Sequence, residues 1–160
     1  MNARPWGSFG HVAALGLALF AMFALPANAA RCLGYEPNVV NLTGTISMGH
    51  GFGPPGFGED PEHDMKLSYP LLTVDRPICV DKTLATTDSD AVKEAGVKAL
   101  EMVHSDEHPF KREWLKQHVV VTGTLYHSYN GYHQTSVLIS VSKTKILPRK
   151  RTRRWRCKLC

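Results

Sequence analysis

Histidine, cysteine and tyrosine carry the chemistry that this 160-residue chain could do. His127 and His133 flank a Ser128-Tyr129-Asn130-Gly131 turn, and His50 and His63 lie in or beside a Gly/Pro-rich stretch. Neutral imidazoles bind zinc well, but a site needs three or four convergent ligands. His104-Ser105-Asp106-Glu107-His108 has the outer spacing of a metalloprotease helix with the wrong interior, and Pro109 follows it. No metal is therefore assigned. His127 and His133 are the weak candidates, and a metal-dependent site built on loop histidines is the second alternative function. No Gly-x-Ser-x-Gly elbow is present. The acidic run Glu59, Asp60, Glu62, Asp64 does not match an EF-hand loop and reads as a solvated loop. Tyr126, Tyr129, Tyr132 and Trp114, with His127 and His133, are the side chains best suited to contact a ligand. The residues point to a non-enzymatic role and imply no cofactor.

The cysteines are Cys32, Cys79, Cys157 and Cys160. Their state depends on compartment, and the N-terminus speaks to that. Arg4 is followed by an apolar run from Val12 to Leu25, then Pro26 and the small residues Ala27 to Ala30. This is the order of a secretory signal peptide, with the cut expected after Ala29. The run is shorter than the roughly 20 residues a spanning helix needs, and no later stretch is long and apolar enough. The expected product starts at Ala30, carries no transmembrane segment, and is periplasmic or secreted. In such an oxidising setting cysteines pair. The sequence favours Cys32 with Cys79 and Cys157 with Cys160. The first bridge would close a loop worth about 3–4 kcal/mol in the chain-entropy model. Cys157-Lys-Leu-Cys160 has half-site spacing but lacks a second pair, so it reads as an incidental bridge at a solvated end.

Charge is unevenly distributed. The whole chain has 19 Lys+Arg against 14 Asp+Glu, a net of +5. Seven of those cations (Arg149, Lys150, Arg151, Arg153, Arg154, Arg156, Lys158) lie in the last 12 residues. Residues 30–148 hold 11 basic and 14 acidic side chains. The body is thus mildly acidic, which argues against a nucleic-acid-binding domain. The tail, 148–160, reads as disordered. Each cation near an anionic surface contributes about 1 kcal/mol, so the tail could hold the protein at a polyanion: anionic lipid, lipopolysaccharide or nucleic acid. That is the first alternative to a function borne by the body.

The body must position these groups with strands. Val39 to Met48 alternates strictly, with Val40, Leu42, Ile46 and Met48 on one face. Val119 to Tyr126 repeats the pattern. Leu42-Thr43-Gly44-Thr45-Ile46 matches Val121-Thr122-Gly123-Thr124-Leu125, each with a glycine on the apolar face. A glycine there predicts a bend or a close backbone approach. Asn130-Gly131 tolerates positive φ at both residues and predicts a tight hairpin over Val119–Leu147. Val137, Ile139 and Val141 share the face of the return strand, and a bulge is expected after Ser142. Met48 to Lys66, GHGFGPPGFGEDPEHDM between them, is expected to be irregular throughout. Lys66 to Val74 reads as a strand in which Pro70 implies an edge or bulge, and Arg76 to Val80 continues it. Residues 88–103 fit either a helix or a strand. Pro109 to Lys116 predicts a short helix with Phe110 and Trp114 on one face.

That order predicts an all-β domain with a short helix: a small OB-like five-stranded barrel spanning 30–147, after a leader over 1–29. The alternative is an α+β open antiparallel sheet with a helix packed on one face.

His118 to Val141, HVVVTGTLYHSYNGYHQTSVLISV, resembles the hallmark of the bacterial family catalogued as domain of unknown function 4431. That hallmark is a V-x-V-x-G-x-L strand, a Gly-His-His-Thr-like turn, and a strand ending in a Val-rich run. VNLTGTI with the GFGPPGFGED loop, and Leu71 to Val80, are similar to further family segments. Gly96 to Met102 fits a family strand, which implies strand rather than helix there. Tyr132 stands where the resemblance implies the first of two adjacent histidines; His133 keeps the second. The resemblance implies no activity. The reading that results is an exported envelope protein acting as an OB-like binding or accessory module, its partner an envelope ligand or an anionic surface.

Overall fold

The computed structural model describes residues 31–148. The expected leader, the basic tail and the Cys157–Cys160 pair lie outside them. Six strands form: β1 (Leu33–Gly34), β2 (Val39–Phe52), β3 (Lys66–Asp81), β4 (Glu94–Val103), β5 (His118–His127) and β6 (Val137–Ile146). The one helical element among the described residues is a 3-10 turn, Arg112–Trp114.

Five of these strands pair in a closed ring. β2 lies between β3 and β5, β5 pairs β6, and β3 pairs β4, all antiparallel. A short parallel pairing of β4 with β6 closes the circuit. This is the order expected of an OB-like, five-stranded Greek-key arrangement. β1, a two-residue strand that the sequence did not announce, adds to β3 in parallel. Residues 94–103 are strand, as the family resemblance implied.

Alternation explains the core. Val40, Leu42 and Ile46 of β2 are buried, as are Val119, Val121 and Leu125 of β5 and Val137, Ile139 and Val141 of β6. Each aliphatic side chain so buried contributes up to about 1.5–3 kcal/mol relative to exposure. The two matched runs pair with each other, Leu42 opposite Val121 and Gly44 opposite Val119. Their glycines are close-approach positions. A Cβ built on Gly44 would overlap the Thr73 carbonyl oxygen, and one on Gly123 the Ser140 carbonyl oxygen. The expected bulge is present: Thr122 pairs Lys143 and Gly123 pairs Val141, so Ser142 is the extra residue. Pro70 sits one residue before the β3–β4 register begins at Leu71, where its missing N–H costs that ladder nothing.

Four expectations need correction. β2 runs on through Gly49-His50-Gly51-Phe52, so only 53–65 is irregular; the glycines reach into the ladder opposite Leu67 and Tyr69. The alternation slips after Ile46, and Met48 is 37% exposed rather than in the core. The expected helix at 109–116 is a single 3-10 turn, because the chain is needed as a plug: buried Trp114 lies 6.0 Å from both Phe110 and His104. Finally, Asn130-Gly131 is not a tight two-residue turn. Neither residue has positive φ, and the strands are joined by a nine-residue loop, 128–136.

The Cys32–Cys79 disulfide is formed, its partners separated by 47 positions in sequence. It ties the segment before β1 to β3. Tyr35, fully buried, donates its hydroxyl to the Val92 carbonyl oxygen at 2.8 Å and seals the same end of the core.

Candidate functional site

Two loops meet at one end of the ring: 53–65, between β2 and β3, and 128–136, between β5 and β6. The first is organised from inside by Asp64. This carboxylate is buried and accepts hydrogen bonds from the backbone N–H of Gly56 (2.6 Å), Gly58 (2.7 Å) and Asp60 (3.3 Å). Desolvation pushes its pKa up, but the Gly58, Gly56 and Asp60 N–H groups outweigh that and hold it below the usual carboxylate value. The acidic run is therefore not uniformly solvated: Asp64 is the loop's internal anchor, and Glu59, Asp60 and Glu62 face solvent. His63 sits 2.8 Å from Asp60 on that outer face, and His50 pairs with the Ser68 hydroxyl.

Beside this anchor stands Phe57, at φ +52° and 48% exposed. A bulky residue in the left-handed region costs of order 1–3 kcal/mol, and such outliers cluster at functional sites. The ring does not turn inward to recover that cost. It meets exposed Tyr132 of the other loop edge-on, with centroids 6.0 Å apart.

Loop 128–136 is organised by a second buried carboxylate, Glu101 of β4. One oxygen accepts from the Gln134 backbone N–H at 3.0 Å; the other lies 3.3 Å from His133 Nδ1. An ionised carboxylate only accepts, so His133 presents Nδ1–H to it. His133 Nε2 is left buried without a hydrogen-bond partner, under Tyr129 at 5.0 Å and Tyr126 at 6.3 Å. Asn130 Oδ1 accepts from the Tyr132 N–H. The Gln134 amide donates to the Phe52 and Gly131 carbonyls, joining this loop to the end of β2. Burial, reinforced by Tyr129, Glu101 and Glu36, pushes the Tyr126 phenol far up. Burial and then Glu101 also raise Tyr69. Both phenols stay neutral near pH 7.

The structure thus brings Tyr126, Tyr129, Tyr132 and His133 together and leaves two sequence candidates elsewhere. Trp114, 9% exposed, belongs to the core plug and is not available to a ligand. His127 does not approach His133. It faces Glu94 at 3.8 Å and lies edge-on to Tyr35, whose phenol burial and the nearby Glu94, Asp81 and Asp88 raise to about 12. The two histidines thus take different carboxylates of β4, and among the described residues no three His, Cys, Asp or Glu side chains converge. Among the described residues no hydroxyl bonds to His133 Nε2, and the Glu101–His133 pair serves as a loop anchor.

Sequence reasoning missed Phe57, Asp64 as anchor, and Glu101. Glu101 left a trace: one carboxylate between Leu100 and Met102 in a strand. Phe57 left none, because positive φ cannot be read from a Gly-Phe-Gly string.

The hairpin that builds half of this site also carries the family signature. Residues 102–146 match the model of the family described as Domain of unknown function (DUF4431). This is the family that His118–Val141 resembled. The DUF4431 match takes in the end of β4, the core plug, β5, the 128–136 loop and β6. The upstream segments that also resembled the family, including loop 53–65, lie outside the matched stretch. No curated protein and no solved structure matches the chain.

Proposed function

We propose that the protein is an exported, OB-like binding module whose ligand surface is the junction of loops 53–65 and 128–136. The observation that carries this is Phe57: an exposed aromatic held at φ +52° by a buried carboxylate, edge-on to Tyr132 of the facing loop. OB-folds use the corresponding two loops to bind extended ligands. Exposed Phe57, Tyr129 and Tyr132 supply stacking faces, and exposed Asn130 supplies a polar edge. Exposed Glu59, Asp60 and Glu62 border the same loop and disfavour a polyanion there. The chemistry suits a neutral, extended polymer, such as an envelope glycan stacked on the aromatics.

Export rests on the leader-like N-terminus and is supported by the Cys32–Cys79 disulfide, a bond that persists in oxidising compartments. No helix of the described residues is long and apolar enough to cross a membrane.

Co-sedimentation with purified envelope polysaccharide tests the reading. Each stacking aromatic of this kind is worth about 1–3 kcal/mol on nucleobases, so a combined Phe57→Ala, Tyr129→Ala, Tyr132→Ala variant should bind at least about tenfold more weakly. Deleting 148–160 should leave binding intact. Binding that disappears with the tail and ignores the aromatics would instead support polyanion contact through the tail.

A further inference from the structure

A second feature lies on another part of the ring, where β2 and β3 part. They pair from Phe52 opposite Lys66 as far as Gly44 opposite Val74. Before Gly44, β2 keeps only β5; after Val74, β3 keeps β4 and gains β1 at Val80. The stretches that no longer pair with each other, around 41–43 and 75–79, bound an open cleft of about 510 Å³. That size falls within the range of small-molecule sites. Leu33, Leu42, Val74 and Ile78 line it with apolar surface, and the Cys79 end of the disulfide closes one side.

Positive charge is in excess around the cleft. Asp75, which also lines it, is hydrogen-bonded, both its oxygens within 3.1 Å of His118 Nε2. Arg31 and Arg76, also lining the cleft, make no ion pair among the described residues, and both are exposed. Two guanidinium groups against one carboxylate leave this apolar cleft with an excess positive charge, complementary to an anion that carries a hydrocarbon.

We propose that this cleft binds a single-chain amphipathic carboxylate, a fatty acid, with its chain along Leu33, Leu42, Val74 and Ile78 and its head group between Arg31 and Arg76. The opening between two strands suits one chain lying along it, and planar guanidinium forks match a carboxylate in bidentate geometry. The site is separate from the loop junction, so it can bind whether or not that junction does.

Titration of the isotope-labelled full chain with dodecanoate below its micellar concentration, followed by amide chemical shifts, tests this. The expected result is saturable binding with shifts at 31–33, 41–43 and 74–79. Dodecyltrimethylammonium, with the same chain and the opposite charge, should bind far more weakly. So should acetate, which has the head without the chain. The double variant Arg31→Gln, Arg76→Gln changes exposed side chains only and should fold; it should weaken dodecanoate binding about fivefold or more. Equal binding of the cation, an unaffected double variant, or dodecanoate binding without shifts in the cleft would each overturn the proposal.

Discussion

Replacing Gly123 by alanine should destabilise the protein far more than one methyl group usually does. Gly123 lies at the β5–β6 bulge, opposite Val141 on one side and Val40 on the other. An added Cβ would overlap the Ser140 carbonyl oxygen and come within 3.0 Å of Ile139 Cγ1 and the Ser140 carbonyl carbon. The side chain of Ile139 could turn aside. The Ser140 backbone is less free, because it is paired with Thr124 of β5 and Val103 of β4 and anchors the short parallel closure of the ring. Overpacking a core typically costs about 1–3 kcal/mol, and displaced ladder bonds add to that. For a domain of this size, about 2 kcal/mol lowers the melting temperature by on the order of 5–15 °C. Gly44→Ala meets the Thr73 carbonyl in the same way and should behave alike. Gly53→Ala is the control: its Cβ would make ordinary contacts at 3.5 Å with Leu67, and φ there is not positive. Thermal unfolding followed by circular dichroism gives the comparison. If Gly123→Ala and Gly44→Ala melt with Gly53→Ala and wild type, the strands do not approach as closely as described.

Other expectations follow from single groups. Burial holds the His104 imidazole below its ordinary pKa, against a smaller opposing effect of the Met102 backbone, so the folded state favours neutral His104. Its stabilisation is complete above about pH 6.5 and is lost as pH falls below that value; His104→Phe should flatten this part of the stability–pH curve. Asp64, whose carboxyl is held low, acts in the same direction at lower pH: its stabilisation is present above about pH 4 and is lost on further acidification. In Asp64→Asn, amide exchange at Gly56 and Gly58 should quicken while the strand amides keep their protection. Replacing both Cys32 and Cys79 by serine should cost about 3–4 kcal/mol, read by denaturant unfolding, if the 47-residue separation sets the effect.

Much of the ring could be read from period-two patterning, because each strand has one buried face. Val40, Leu42 and Ile46 against Asn41, Thr43 and Thr45 leave one way to orient β2, and the β6 bulge showed as a slip in the same pattern after Ser142. Residues 88–103 fit either element because Val92, Ala95, Ala99 and Val103 have helical spacing while Val97 to Val103 serves equally as a strand; pairing with β3 and β6 makes 94–103 strand. The site was only half visible. Tyr126, Tyr129, Tyr132 and His133 lie in one sequence segment beside a turn signal, so proximity revealed them. Phe57, Asp64 and Glu101 act through contacts made across the fold. Glu101 is 32 residues from His133, and Phe57 reaches Tyr132 only because two loops meet. Asp64 looked like its acidic neighbours because burial, not residue type, separates it from them. Trp114 misled for the converse reason: an aromatic residue looks the same in sequence whether it plugs a core or meets a ligand.

The central claim is that the junction of loops 53–65 and 128–136 is a ligand surface. Amide chemical-shift mapping of the isotope-labelled full chain, titrated with soluble neutral glycan oligomers from the envelope, tests it most directly. The account predicts saturable shifts concentrated at Phe57 and Gly58 and from Tyr129 to Gln134, and their loss in Phe57→Ala. Saturating oligomer that leaves these amides unmoved, or moves only amides remote from the two loops, would contradict it.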